Sequence, residues 1–233
     1  MQSVLHSVMD QASLVDYPGR LSGLFFTSGC NFRCGYCHNA STLGAFNAPT
    51  YSFDELDLLL KDFKKQWTRA ITVTGGEPTL HEGLPETLEF IKKRGFRIKL
   101  DTNGSRPKML ARVLPLVDYL AMDIKGPIHR YEELVGFADT DAIRESIELI
   151  MNSGKGYEFR TTLVEPYFAD EDIHDCGKAV PGAELYVVQA FIPRDNLPSP
   201  ALRLQPRTRP SALKNAANIL TGYVKKAIVR GEG

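Results

Sequence analysis

The chain has 233 residues, 43% hydrophobic and 24% charged, enough for one full-sized domain with a substantial core. Lys+Arg and Asp+Glu balance at 28 each, so no basic field points to nucleic acid and no acidic excess points to disorder. No apolar run approaches the roughly 20 residues that span a bilayer, and the opening Met1-Gln-Ser-Val-Leu-His lacks the regions of a signal peptide. A cytosolic protein with reduced thiols is expected, with neither a membrane nor nucleic acid as partner.

Residues 1–20 read as an extension holding a turn, Asp16-Tyr17-Pro18-Gly19, with Pro and Gly where a type II turn wants them. Residues 21–28 form the first buried strand, which delivers the chain into Cys30-Asn-Phe-Arg-Cys34-Gly-Tyr36-Cys37-His38. Residues 38–51 are loop with a short helix. A helix starts at Phe53 behind a Ser52/Glu55 capping box. Phe53, Leu56, Leu59, Leu60, Phe63 and Trp67 give it one buried face. Strand two, 70–74, runs into Gly75-Gly76-Glu77-Pro78, and a helix over about 84–93 follows. Strand three, 96–100, ends in Asp101-Thr102-Asn103-Gly104. A helix over about 107–114 leads to strand four, 119–125, which carries Asp123 and Lys125. A helix near 141–152 precedes strand five, 157–164, which holds Arg160. A helix near 171–179 precedes strand six, 184–191, which holds Gln189. A last helix covers about 211–224.

Strand and helix alternate six times, the pattern of a parallel sheet with helices outside. A complete eightfold barrel needs about 250 residues. Six units in 233 residues therefore predict an α/β fold, a partial (β/α)6 TIM-type barrel in a single domain over 1–233. Cys30, Gly75, Asp101, Asp123 and Gln189 fall at or just past C-terminal strand ends, the rim where such folds build sites.

Thiolates are soft ligands suited to zinc, copper(I) or iron–sulfur clusters. A structural zinc site or a closed four-iron cluster normally takes four protein ligands. The local run supplies three, which on a four-iron cluster leaves one iron open. Cys176 is the one other cysteine and is expected to be buried and inert; as a fourth ligand it would instead close the cluster. The Gly75-Gly76 backbone and the Glu77 carboxylate can hold an ammonium group, although the run also suits a plain turn. Asp101 and Asp123 on neighbouring strand ends repel unless a cation meets them, and Lys125 offers one. Arg160 inside a strand needs a partner, either a ligand or one of these aspartates.

The spacing Cys30-x3-Cys34-x2-Cys37, with an aromatic before the last cysteine, resembles the signature of the radical S-adenosylmethionine (SAM) family, and Gly75-Gly76-Glu77-Pro78 resembles its motif for the methionine amino group. The resemblance implies a [4Fe–4S] cluster on Cys30, Cys34 and Cys37, with no catalytic residue beyond cluster and SAM. It implies SAM contacts from Tyr36, Gly75, Gly76, Glu77, Asp101, Thr102, Asn103, Asp123, Lys125, Arg160 and Gln189. Asp101-Thr-Asn-Gly and Asp123-Ile-Lys are similar to motifs of glycyl-radical enzyme activases. That group implies a monovalent cation beside Asp101, Thr102, the Ala121 carbonyl and Asp123. With Ser13-Leu-Val-Asp-Tyr-Pro-Gly19, the chain resembles the roughly 230-residue activating proteins of anaerobic ribonucleoside-triphosphate reductase. The implied function is formation of a glycyl radical on a partner enzyme, with flavodoxin or ferredoxin as electron donor. A departure stands at Gln189-Ala-Phe-Ile-Pro193, where the pyruvate formate-lyase activase has a histidine. The rival readings are an activase of pyruvate formate-lyase or another such enzyme, a small-molecule radical SAM enzyme such as a 7-deazaguanine-forming synthase, an electron carrier and a zinc-stabilised module.

Overall fold

The computed structural model describes residues 2–44 and 47–231. They divide into two compact units, one of Met1–Asn31, Ser41–Leu120 and Ser153–Gly156, the other of Phe32–Ala40, Ala121–Asn152 and Tyr157–Gly233.

The first unit holds β1 (Leu5–Val8), β2 (Ser13–Tyr17), β3 (Arg20–Thr27), β4 (Ala70–Gly75) and β5 (Arg97–Thr102). β3, β4 and β5 are parallel, with Ser22 against Ala70 and Ala70 against Arg97. Phe25, Ile71, Val73, Ile98 and Leu100 are fully buried on them, as strands covered on both faces require. β1 and β2 lie antiparallel to β3. Within the stretch read as an extension, Leu5–Val8 and Ser13–Tyr17 are thus strands of the sheet. The expected Pro18-Gly19 turn closes the β2–β3 hairpin, Tyr17 pairing with Arg20 and Gly19 at φ 70. These two strands carry no apolar alternation, and Leu14 and Val15 are exposed, which is why the sequence hid them.

Helix α1 (Phe53–Lys65) has the expected capping box: Glu55 N donates to Ser52 Oγ at 3.2 Å and Ser52 N to Glu55 Oε2 at 2.7 Å. Its buried face is Leu56, Leu60 and Phe63. Trp67 does not join that face. The helix ends two residues earlier, and Trp67 is 85% exposed in the left-handed region at φ 61. Thr68 N donates to Phe63 O at 3.0 Å and Trp67 N to Lys64 O at 3.1 Å, a Schellman close with tryptophan where glycine is usual. Helices α2 (Leu84–Lys93) and α3 (Pro107–Val113) complete this unit.

β6 (Tyr119–Asp123) begins in the first unit and ends in the second. The second unit continues with α4 (Tyr131–Val135), α5 (Thr140–Met151), β7 (Gly156–Leu163), α6 (Asp170–Ala179), β8 (Tyr186–Ala190), α7 (Pro200–Arg203), α8 (Pro210–Leu220) and β9 (Ala227–Arg230). β7, β8 and β9 are parallel. The last helix stops at Leu220, short of the expected 224, and the chain then adds the unexpected strand β9. No helix among the described residues is long and apolar enough to cross a membrane.

A left-handed conformation costs a side chain roughly 1–2 kcal/mol that glycine does not pay. Trp67→Gly is therefore expected to stabilise the protein by about 1 kcal/mol, seen as a higher midpoint in urea. An unchanged or lower midpoint would mean that the exposed indole contributes contacts that outweigh the strain.

Candidate active site

In the first unit three strand ends are laced together. Gly76 N donates to Thr27 O at 2.9 Å and Glu77 N to Gly29 O at 2.8 Å, so the turn after β4 lies against the loop that carries Cys30. A Cβ on Gly76 would stand 1.8 Å from Gly29 O, and one on Gly75, at φ 122, 2.3 Å from Thr27 O. The closeness these glycines permit is thus already used within the protein.

The Glu77 side chain has a part other than the expected ammonium contact. It is buried, and its Oε1 accepts from Thr79 N at 3.0 Å, Thr79 Oγ1 at 2.5 Å and Thr102 Oγ1 at 2.7 Å, while Oε2 accepts from Asn103 N at 2.6 Å. Burial raises its pKa, and these hydrogen bonds partly offset the rise. The carboxylate thus fastens the turn after β4 to the end of β5. Asn103 carries the link onward: its Nδ2 donates to Asn31 Oδ1 at 3.0 Å and stands 3.8 Å from Cys30 Sγ, within N–H···S reach. Ser105 Oγ donates to the same Asn31 oxygen at 3.2 Å, and His81 Nε2 meets Ser28 O at 2.8 Å. Asp101 is ion-paired with Lys99, whose side chain is almost wholly buried.

In the second unit Cys37 N donates to Cys34 O at 3.2 Å and closes the cysteine turn. Gly35 fits beneath Ser199, whose N donates to Gly35 O at 3.0 Å. His38 Nε2 meets Ile192 O at 3.0 Å, and burial lowers its pKa, so it orients the loop as a neutral ring. Tyr36 is buried with its hydroxyl unpartnered among the described residues.

Asp123 accepts from Arg160 Nε at 2.9 Å on one oxygen and from Lys125 Nζ at 3.1 Å on the other. Burial alone would raise this carboxyl; the two cations outweigh it and hold Asp123 well below the usual carboxylate range. Burial pulls Lys125 down and Asp123 more than restores it, with Cys34 and Tyr36 adding to the rise. Of the two partners open to Arg160 from sequence, the structure supplies the aspartate. Arg160 also lies 4.0 Å from Glu158, fully buried, which Arg230 grips with two bonds of 2.9 Å. Lys125, Asp123, Arg160, Glu158 and Arg230 thus form a run of alternating charges. Gln189 is half-buried in register with Thr162 and Arg230.

Cys30 belongs to the first unit, and Cys34 and Cys37 to the second. All four cysteines are reduced. Cys176 is buried in α6, where burial pushes its thiol up to about 12, so it stays protonated as expected of an inert thiol. Among the described residues no three His, Cys, Asp or Glu side chains could share one metal ion. A four-iron cluster does not ask for that, because each thiolate binds a different iron. The donor types suit an iron–sulfur cluster and a zwitterionic ligand: in the first unit a soft thiol with an amide N–H beside it, and in the second two soft thiols, a tyrosine hydroxyl unpartnered among the described residues and the cations Lys125 and Arg160.

Lys99, Glu158 and Arg230 were not singled out from sequence, nor were Asn31, Ser105 and His81. A signal existed for the first two. Lys99 with Asp101, and Glu158 with Arg160, stand two apart in strands and so share a face.

The profile of the Radical SAM superfamily matches residues 24–178, more than half of the chain. A Methanocaldococcus jannaschii protein whose name, given by inference, is glycyl-radical enzyme activating enzyme is 32% identical over 99% of this chain and 97% of its own. Two relatives match over about half of each chain: the pyruvate formate-lyase-activating enzyme of Clostridium pasteurianum, at 34% identity and 52% of both, and a 7-carboxy-7-deazaguanine synthase of Aquifex aeolicus, at 30% and 45% of both. SuiB of Streptococcus suis, solved with S-adenosylmethionine, superposes with a TM-score of 0.69 at 13% identity over 93% of this chain and 51% of its own. That likeness speaks to fold alone, and it agrees with the expected α/β class, a partial TIM-type barrel of mostly parallel strands. The cysteine loop and the Gly-Gly-Glu-Pro turn lie inside the matched residues, and the chain belongs to the radical SAM superfamily, an enzyme family whose members imply a [4Fe–4S] cluster and SAM.

Proposed function

We propose that this protein is a glycyl-radical enzyme activase. The observation that carries the reading is the similarity to the Methanocaldococcus jannaschii protein along essentially the whole of both chains, against half-length matches to relatives of other chemistry. When loaded, such a site supplies one-electron reductive cleavage of SAM, giving methionine and a 5′-deoxyadenosyl radical that takes the α-hydrogen of a glycine in the partner. Cys30, Cys34 and Cys37 hold the cluster. The backbone of Gly75, Gly76 and Glu77 receives the SAM ammonium, since the Glu77 carboxylate already has four donors. Tyr36 offers its hydroxyl or ring to the adenine. Lys125 and Arg160 face the SAM carboxylate, and Gln189, in register with Thr162 on β7, contributes from β8.

The partner proposed is anaerobic ribonucleoside-triphosphate reductase, supported by Ser13-Leu-Val-Asp-Tyr-Pro-Gly19, with flavodoxin or ferredoxin in the cytosol as electron donor. Pyruvate formate-lyase is the second candidate, supported by the clostridial match. The monovalent cation expected beside Asp101, Thr102, Ala121 and Asp123 gains less support. Asp101 faces Lys99, Asp123 faces Lys125 and Arg160, and the Thr102 hydroxyl donates to Glu77.

Anaerobic reconstitution with iron and sulfide, followed by electron paramagnetic resonance, tests the cofactor half. A reduced-cluster signal that shifts when SAM is added is expected, and its loss in Cys34→Ala. A signal indifferent to SAM would remove the reading. Incubation with the candidate reductase then tests the partner half: a glycyl radical signal and one 5′-deoxyadenosine per radical are expected. SAM consumed with a purine-like substrate and no partner would favour the synthase reading instead.

Arg230 grips the fully buried Glu158 with two bonds, and Arg160 lies 4.0 Å from it. Glu158→Gln is expected to destabilise the cluster-free protein by about 3 kcal/mol, as breaking a buried ion pair does, read from its thermal midpoint. A midpoint within a degree of wild type would show that Arg230 and Arg160 do not depend on this carboxylate.

A further inference from the structure

We propose that Lys99 is a built-in monovalent cation that takes the place beside Asp101 where the resemblance to glycyl-radical enzyme activases implies a free ion. Positions 99 and 101 of β5 point to one face of the sheet, because side chains alternate along a strand. The Lys99 side chain is 1% exposed and that of Asp101 14%, and the ammonium is in direct contact with the carboxylate. An ammonium group taken this far from water persists only with a close counter-charge. The same holds in reverse for Asp101: with Lys99 present, its carboxylate already has a full positive charge in contact.

The neighbouring atoms agree. Thr102 Oγ1, which the resemblance implies as a further ligand of such an ion, donates to Glu77 at 2.7 Å and accepts from Gly104 N at 3.1 Å. An alkylammonium and a potassium ion carry the same charge and are of similar size, but the lysine is tethered. Its local concentration does not vary, and its three N–H donors match carboxylate oxygens as point contacts. Lys99 is thus a positioning residue: its contact holds the Asp101 carboxylate in place at the end of β5, next to the Thr102-Asn103 segment that holds Glu77 and approaches Cys30. The part that concerns SAM rests on the radical SAM assignment; the ion exchange itself does not.

The test compares wild type, Lys99→Met and Lys99→Met/Asp101→Asn in choline, sodium, potassium and ammonium chlorides at one ionic strength. The first readout is the thermal midpoint of the cluster-free protein, which needs neither cofactor nor partner. Wild type is expected to melt at the same temperature in all four salts. Lys99→Met is expected to melt lower in choline and to recover part of the loss in potassium or ammonium, because a small cation enters the vacated place. The double variant, which lacks both charges of this pair, is expected to show no salt preference. The second readout is the SAM dissociation constant of the reconstituted protein. It is expected to stay within about twofold across the salts for wild type and to rise about tenfold for Lys99→Met in choline, with recovery in ammonium.

A wild-type midpoint or dissociation constant that depends on potassium or sodium would overturn the proposal, since a free ion would then be bound despite Lys99. A Lys99→Met protein that melts like wild type in choline would overturn it as well. Should Lys99→Met not fold, the double variant decides the matter: a salt-independent midpoint nearer to wild type supports the pairing of the two charges, and failure to fold in that variant too means that Lys99 does more than balance Asp101. Loss of all SAM binding with the expected midpoints would strike at the cofactor assignment and leave the ion exchange standing.

Discussion

A carboxylate removed from water needs a donor for each lone pair it exposes, and Glu77 finds four. That demand organises the first unit. Two of the donors come from Thr79, two residues further on, and shape the turn after β4. The other two come from Thr102 and Asn103 and fix where β5 ends. The backbone of the same turn bonds to Thr27 and Gly29, which is possible only because residues 75 and 76 have no side chain. One buried acid therefore determines the mutual placement of three strand ends and, through Asn103, of the loop at Cys30. An energetically costly burial is repaid in positional precision.

The same logic recurs in ionic form. Parallel strands covered on both faces leave no exposed side on which to park a charge. Every charge that β5 and β7 carry toward the interior is accordingly matched nearby: Lys99 with Asp101, Glu158 with Arg230 and, more loosely, with Arg160. These pairs cost desolvation, so their presence argues for a use beyond stability. In the second unit the run of alternating charges ends at Lys125, where burial pulls the pKa down and Asp123, followed by Cys34 and Tyr36, more than restores it. In the first unit the pair at β5 is neutral.

Much of this could be read from the chain before any coordinates. The three-cysteine run, the doubly buried strands β3 to β8 and the capping box of α1 announce themselves through spacing that one physical cause explains. What escaped notice has a cause as well. β1, β2 and β9 are four or five residues long with little burial, so no periodicity marks them. Trp67 sits at helical spacing from Phe63 and fooled the pattern, because a left-handed residue after the helix turns the side chain away from the face it would have joined. The hydrogen bonds that the Glu77 side chain makes within the protein were not legible for a different reason. A motif tells which residues gather at a site, whereas the division of labour between backbone and side chain depends on donors from a strand some twenty-five residues away.

That division also bears on how a chain can keep a motif while changing what fills it. The Asp-Thr-Asn-Gly run is intact here, yet its aspartate is satisfied from two positions earlier on the same strand. A lysine at that position changes nothing in the motif itself and everything in its electrostatic requirement. Because side chains on one face of a strand repeat every second residue, position 99 is the nearest place on β5 from which a tethered cation can reach Asp101 without distorting the ladder. Residues just outside a signature, on the same face, are thus where a family member can alter its dependence on soluble ions while leaving the cofactor contacts in place.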